Sequence, residues 1–419
     1  MENREWKEYK IKDVGTVITG KTPSKNNPED WGDEMPFVTP SDYKHYRKFA
    51  KFSDRNLSSI GIERLKSKVL PINSILVTCI GSDMGKIVIN KCSVITNQQI
   101  NSIIHNNNIN SDFLYYRLIS MYETLRIYGG DGTAVPIVNK GDFENLEIQL
   151  PPLPEQKAIA SVLSSLDDKI DLLHQQNQTL ESLAETLFRQ WFINYSENQN
   201  EPKKETEIGN VPESFNVVQI KDLDFVLETG KRPKGGVGTL TSGVPSIGAE
   251  NIKGLGMYDH SKTKYISQEF ADTMNRGHIK GYELLIYKDG GTPGHFIPRY
   301  SIFGNGFPFD TMTINEHVFK LDFNDKAFNF FCYFYFQTDL VDSILVANGA
   351  KAAIPGINQD DVKNLWIIHP ETPLIKKFGD LTLPYLEKIL FNCNQIQTLT
   401  QLRDTLLPKL MSGDVRVKN

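Results

Sequence analysis

Two stretches of the chain carry apolar residues at intervals of seven. After "LPPLPEQ", Ile159, Leu166, Leu173, Leu180 and Leu187 recur at that spacing, and Leu163, Ile170, Asn177, Ala184 and Trp191 form a second set. The two sets are the d and a positions of a coiled coil, and Pro154 is a natural first-turn residue. Near the other end, Phe378, Tyr385, Asn392, Leu399 and Leu406 occupy d, with Thr382, Ile389, Ile396, Arg403 and Leu410 at a. Pro384 and Pro408 fall inside this weaker seam and are expected to bend or delimit its helix. Roughly six heptads at ~1.5 Å per residue make a rod of about 60 Å, longer than a small domain is wide. Each helix could pack on its own domain, but the length predicts that the two pair with each other.

Ahead of each heptad stretch lies a block of short strand-like runs, "SILVTCI" and "LEIQL" in the first, "ELLIYK" and "LWIIH" in the second. Each block also holds one apolar segment that reads as a buried helix, "SDFLYYRLISMYETLRIY" and "DKAFNFFCYFYFQTDLVDSIL". The blocks repeat in order. "IKDVGTVITGKTPSK" (11–25) matches "IKDLDFVLETGKRPK" (220–234), and "MPFVTPSDY" (35–43) matches "VPSIGAENI" (244–252). "NSILVTCIGSDMGKIVI" (73–89) matches "YELLIYKDGGTPGHFIP" (282–298), placing Gly81 and Gly85 on Gly290 and Gly294. At a constant offset of 219, Pro136, Asn139, Asp142, Asn145, Leu146, Ile148 and Pro151 fall on Pro355, Asn358, Asp361, Asn364, Leu365, Ile367 and Pro370. The chain is thus written twice. Between the copies, "SENQNEPKKETEIGNVPES" (196–214) has the composition of a linker.

The repeat disposes of the first chemical motif. Residues 15–22 fit the phosphate-loop pattern G-x-x-x-x-G-K-[ST]. The intervening Thr16, Val17, Ile18 and Thr19 are β-branched strand formers, Pro23 follows, and the second copy lacks the first glycine. What recurs is a strand ending in a Thr-Gly-Lys turn. No adenine-methyltransferase [DNS]-P-P-[YF] motif or glycine-rich S-adenosylmethionine loop is found. "GDGT" (130–133) is at best a broken dinucleotide fingerprint, and its counterpart "GAKA" does not preserve it. The eight histidines are scattered without ligand spacing, so no catalytic and no metal-binding residues are assigned. Cys79, Cys92, Cys332 and Cys393 lie far apart with no C-x-x-C, which argues against a zinc site or disulfide framework and fits a reducing cytoplasm. "MENREWKEYK" is too charged for a signal peptide, and the longest apolar run, at 327–336, is too short to span a bilayer. Net charge is −5 with no strongly basic segment, so any nucleic-acid contact must come from local patches or from a complex.

A tandem repeat of a globular domain and a long helix resembles the specificity subunit of type I restriction–modification enzymes. The most specific stretches are "LEIQLPPLPEQKAIASVLSSLDDKIDLLHQQNQTLESLAETLFRQWF" (146–192) and "LRDTLLPKLMSGDVRV" (402–417); "IGNVPESF" (208–215) and the "TGKTP" turn are also typical. The second copy departs at Pro384 and lacks Glu-Gln after Pro373. The resemblance implies an α+β protein with two repeated target recognition domains and two long helices forming an antiparallel coiled coil. The expected organisation is a first target recognition domain over 1–150, a conserved helix over 151–196, a linker over 197–212, a second recognition domain over 213–370, a second helix over 371–412 and a tail over 413–419. It further implies a cytoplasmic, non-catalytic bacterial or archaeal subunit that reads a bipartite, asymmetric double-stranded DNA sequence. The helices would set the spacing and dock two methyltransferase subunits, with restriction (translocase) subunits joining them. S-adenosylmethionine, ATP and Mg are expected in those partners and no cofactor in this chain. The competing reading is a coiled-coil scaffold that binds proteins without reading DNA sequence.

Phosphate contacts need Lys, Arg or free backbone N–H groups, and base contacts need polar side chains on loops. In the first copy the candidates are Lys21, Thr22 and Lys25 after the Thr-Gly-Lys turn and Lys44, Arg47 and Lys48 in "SDYKHYRKFAKF" (41–52). Asn97 and Gln98 in "TNQQIN" (96–101) join them as amides suited to adenine. In the second they are Lys231, Arg232 and Lys234 beside Gly235 and Gly236, and Lys262 and Lys264, with Arg276 and Lys280 nearby. The glycine loops at Gly81–Lys86 and Gly290–His295 could present N–H groups to phosphates. A solvated strand, charged surface or plain turn is the alternative at each place.

The helix-pair candidates are Leu163, Leu166, Ile170, Leu173, Asn177, Leu180, Leu187 and Trp191 on the first helix, and Phe378, Ile389, Asn392, Ile396, Leu399 and Leu406 on the second. Setting Asn177 against Asn392 in an antiparallel pair places Leu163 on Leu406, Ile170 on Leu399, Leu173 on Ile396, Leu180 on Ile389 and Trp191 on Phe378. The two asparagines are then expected to satisfy each other, and the rod to hold the recognition domains about one DNA turn (~34–36 Å) apart.

Overall fold

"SILVTCI" supplies the middle of a sheet in the computed structural model, which describes residues 6–130, 136–237, 240–290, 294–350 and 355–417. The chain divides into two units, Met1–Lys169 with Leu399–Asn419, and Ile170–Thr398. In the first, the strands Gly15–Thr19, Ile100–His105, Ile75–Thr78, Ile87–Asn90 and Phe49–Ala50 lie side by side in that order. All neighbours are antiparallel except the last pair. Ile75–Thr78 is buried throughout, which explains a continuous apolar run in place of alternation. A smaller sheet contains a parallel pair, Met35–Val38 with Ile95–Thr96. Lys7–Lys10 pairs antiparallel with Glu147–Leu150 and leads into the first long helix.

The second unit repeats the scheme. Val226–Thr229, Val318–Asp322, Leu284–Tyr287 and Tyr300–Ile302 form an antiparallel sheet in that order. Val244–Ile247 pairs parallel with Thr313–Ile314, and Val217–Gln219 antiparallel with Trp366–Ile368. Its core is built on aromatic rings: Phe328, Phe330, Phe331 and Phe334 pack with Phe188, Trp191, Phe192 and Phe378.

Three sequence expectations change. Each apolar segment read as one helix is two, Ser111–Ser120 with Tyr122–Tyr128 and Lys326–Tyr335 with Asp339–Gly349. At both breaks a hydroxyl turns back on the chain: Ser120 Oγ donates to the Arg117 carbonyl and Thr338 Oγ1 to the Tyr335 carbonyl. The stretch read as a linker contains an antiparallel hairpin, Lys203–Thr206 with Gly209–Pro212, and Val211 and Phe215 are buried in the second unit's core. Pro384 and Pro408 do not delimit the second long helix, which runs unbroken over Pro373–Met411. Both prolines lie on its exposed face, where a carbonyl freed of its helical partner stays open to water.

The long helices, Leu153–Phe188 and Pro373–Met411, meet within each unit. In the first, Ile159, Leu163, Leu410 and Met411 share one core with Phe113 and Leu114, and Leu406 packs against it. Arg403 Nη1 donates to Asp167 Oδ1 at 2.9 Å. Burial works against the Arg403 charge, but Asp167 and Asp404 outweigh it and raise its pKa. In the second, Asn392 Nδ2 donates to Asn177 Oδ1 at 2.8 Å and the Trp191 and Phe378 rings lie 6.4 Å apart, an antiparallel pairing. The asparagine pair is not reciprocal: Asn177 Nδ2 turns to Cys393 Sγ at 3.4 Å, and the buried Asn392 Oδ1 has no partner among the described residues. The buried stripe of this helix takes Leu386 in place of the half-buried Tyr385.

Candidate nucleic-acid interface

The Thr-Gly-Lys turn exists because a backbone passes under its glycine. A Cβ on Gly20 would sit 2.2 Å from the carbonyl oxygens of Thr96 and Asn97, and one on Gly230 would sit 1.5 Å from that of Ile314. Only glycine permits that approach, so the feature the two copies share is a steric one and not a phosphate cradle. The chain beneath is a tight asparagine turn. Asn97 N donates to the Val38 carbonyl at 3.1 Å, and Asn97 Oδ1 accepts from Gln99 N at 3.1 Å. In the second unit, Asn315 N donates to the Ile247 carbonyl at 2.9 Å, and Asn315 Oδ1 accepts from His317 N at 2.9 Å.

The same matching extends to the neighbouring loops. Cys79 N donates to Gln99 O, Val138 N to Cys79 O and Gly81 N to Pro136 O; Lys288 N donates to His317 O, Ile357 N to Lys288 O and Gly290 N to Pro355 O. Each unit therefore brings four segments to one place on an equivalent backbone frame. The strand before the second turn is tied down from inside. Glu228 Oε1 lies 2.8 Å from Lys320 Nζ and accepts from Gly277 N at 2.9 Å. Burial pushes the Glu228 carboxyl up, but these hydrogen bonds and the Lys320 charge outweigh it and leave its pKa lowered.

The side chains on these frames differ. In the first unit Thr22 Oγ1 donates to Gln98 Oε1 at 2.6 Å, and Lys21, Thr22, Lys25 and Gln98 are all exposed. In the second unit Arg232 Nε lies 2.6 Å from Glu316 Oε1, with Lys231 and Lys234 exposed beside it. Arg232 follows Thr-Gly-Lys as Thr22 does, and Glu316 follows the turn asparagine as Gln98 does. Glu316 is not among the sequence candidates. Its signal was "TNQQ" (96–99) against "INEH" (314–317), a match of turn geometry more than of letters.

Other candidates lie elsewhere or turn inward. Lys44 is exposed and 3.8 Å from Asp54, and Arg47 is exposed on the same run. Lys48 is a correction: its side chain is 3% exposed and its ammonium is held by Asp112 at 2.7 Å and Ser164 at 2.8 Å, so it faces the interior. Asn97 is a second correction, since both ends of its buried amide are spent within the turn on Gln99. Lys262 lies 3.8 Å from Asp259, and Lys264 2.5 Å from Glu250. Burial raises the Glu250 carboxyl, but Lys264 outweighs it and lowers its pKa. The Gly81–Lys86 loop spends N–H groups on the strand before it: Gly85 N donates to Thr78 O and Lys86 N to Thr78 Oγ1. Residues 291–293 of the Gly290–His295 loop, 131–133 of "GDGT" and 351–352 of "GAKA" lie outside the described residues. No group of three or more His, Cys, Asp or Glu able to hold a metal occurs among the described residues, and no described helix is long and apolar enough to cross a membrane.

Known proteins resemble this chain in sequence and in fold. The model of the type I restriction modification DNA specificity domain matches residues 3–182. The type I restriction enzyme MjaIX specificity subunit of Methanocaldococcus jannaschii is 29% identical over 427 residues, covering 99% of this chain and 94% of that one. The HindI specificity subunit of Haemophilus influenzae is 37% identical over 150 residues, 35% of this chain and 32% of that one. Among solved structures, the type I restriction–modification S subunit from M. genitalium shares the fold, with a TM-score of 0.58 and 16% identity over 98% of this chain and 97% of that one. Over residues 3–182 the chain thus matches a type I restriction modification DNA specificity domain, and along 99% of its length it is similar to a type I specificity subunit.

Proposed function

We propose that this subunit reads a bipartite, asymmetric double-stranded DNA sequence, one half-site per unit, and that its paired helices dock methyltransferase subunits, to which restriction subunits add. The observation that carries the reading is one backbone frame built twice and furnished with unlike outward side chains, Thr22 with Gln98 and Arg232 with Glu316. Two readers of unlike half-sites need such an arrangement: the frame sets the approach to the groove and the side chains set the bases. The exposed Lys21, Lys25, Lys231 and Lys234 flank the turns and suit phosphate oxygens. The chain itself supplies recognition, while S-adenosylmethionine, ATP and Mg belong to the partner subunits.

A net charge of −5 gives the isolated chain little general attraction for DNA, so tight binding should require the assembled complex and should weaken steeply with salt. The test replaces residues 1–150 with those of a relative in a strain carrying the methyltransferase subunits and maps methylated adenines across the genome. One half of the methylated sequence should change and the other persist. A change in both halves, or methylation without any sequence requirement, would overturn the proposal.

A further inference from the structure

We infer that Arg232 is a base-reading residue for a guanine in the half-site of the second unit, and that Glu316 is the residue that aims it. The inference rests on the function proposed above and goes on to name one contact. Arg232 approaches Glu316 Oε1 through Nε at 2.6 Å, and its two terminal nitrogens have no partner among the described residues. The guanidinium is thus anchored at its base, with the planar fork left over. That fork matches the O6 and N7 acceptors that guanine shows in the major groove. The side chain is about half exposed, at 52%, so the fork is open to a ligand.

A phosphate role suits Arg232 less well than its neighbours. A cation already paired with a carboxylate has little net charge to offer a phosphate. Lys231 and Lys234, on the same loop, are exposed and have no ion pair among the described residues. Base readout needs a fixed fork more than net charge, and the carboxylate supplies the fixing. The first unit supports this independently. At the equivalent place Thr22 Oγ1 donates to Gln98 Oε1 at 2.6 Å, so Gln98 is another buttressed side chain on the same frame, its amide N–H groups without a partner among the described residues. The positions are kept as a bonded pair while the chemistry within the pair changes, the pattern expected where each unit reads a different base.

The experiment uses the assembled complex with its methyltransferase subunits and selects bound sequences from a randomised duplex library, comparing wild type with Arg232→Lys, Arg232→Ala and Glu316→Gln. Arg232→Lys keeps the charge and the ion pair but loses the fork, and matched melting curves establish that it folds. Preference for guanine at a single position of one half-site should fall about tenfold to a hundredfold, with the other positions and the other half-site unchanged. Glu316→Gln should relax the same position to a smaller degree, a readout that a merely structural role would leave still. A uniform loss of affinity with every base preference retained would assign Arg232 to a phosphate and overturn the inference, as would a second half-site lacking guanine. A wild-type complex that selects no sequence would instead sink the function proposed above, so the two failures are distinguishable.

Discussion

Replacing Asp112 should cost the first unit more than replacing Lys48, although the two form one ion pair. Lys48 Nζ lies 2.7 Å from Asp112 Oδ1, and the side chains are 3% and 35% exposed. The ammonium also donates to Ser164 Oγ at 2.8 Å and to Tyr116 Oη at 3.3 Å, and it lies 4.8 Å from the centre of the Tyr116 ring. Tyr116 in turn donates to Asp167 at 2.5 Å, and Asp167 accepts from Arg403, so the network joins the globular part to both long helices within this unit. Asp112→Ala strands a buried cation among neutral hydroxyls. Breaking a buried pair costs ~3–5 kcal/mol, and the partial exposure of Asp112 argues for the lower end, about 3 kcal/mol. Lys48→Met keeps the apolar stem and leaves a carboxylate that water can reach. Its cost is two hydrogen bonds at about 1 kcal/mol each. At ~2–4 °C per kcal/mol for a unit of this size, the expected falls in melting temperature are about 6–12 °C and 4–8 °C. Calorimetry of the full chain measures both, and the double variant should be less destabilised than Asp112→Ala alone, because it removes the stranded charge. If Lys48→Met proved the more damaging, or the double variant the worst of the three, the reasoning from unequal burial would be refuted.

The helix pair offers a parallel asymmetry: Asn392 is fully buried and Asn177 partly exposed, so Asn177→Leu should cost about 1–3 kcal/mol, because Asn392 Nδ2 loses its 2.8 Å acceptor and keeps the longer contact to Gln176 Oε1 at 3.5 Å. Asn392→Leu should cost less, because Asn177 can rehydrate; urea unfolding compares them, and equal costs would count against the one-way bond. Acid should weaken the second unit through Glu228, whose folded pKa lies below its ordinary value of 4.5. A depressed folded pKa means that the contribution is complete above 4.5 and is lost as pH falls from there through the folded pKa. Urea midpoints measured from pH 6 to pH 3 should therefore fall less steeply for Glu228→Gln than for wild type, and identical slopes would remove Glu228 from the account.

The parts of the fold that were legible in the sequence are those where periodicity reports burial directly. The heptads from Ile159 to Trp191 marked the first long helix, and Ile75–Thr78, buried on every residue, read as a strand because nothing in the run needed water. The order of matched motifs gave the two-unit plan for a similar reason: "TGK", the paired glycines and the Pro-x-x-Asn segments each answer a backbone requirement, and such requirements outlast side-chain change. Failures came where direction mattered more than composition. Lys48 belongs by its letters to a basic surface run, yet its carbonyl accepts from Ile89 N at the sheet edge, and its side chain turns inward toward Asp112. Asn97 has the chemistry of an adenine reader but spends it closing a turn. Glu316 does not stand out in the sequence because an acidic residue is a poor candidate for DNA on charge alone; its contact with Arg232 gives it a part. Letters thus report what a position must avoid, such as a Cβ under Gly230 or water around Ile75. A role that depends on which neighbour a side chain faces becomes visible only when loops from distant parts of the chain are brought together.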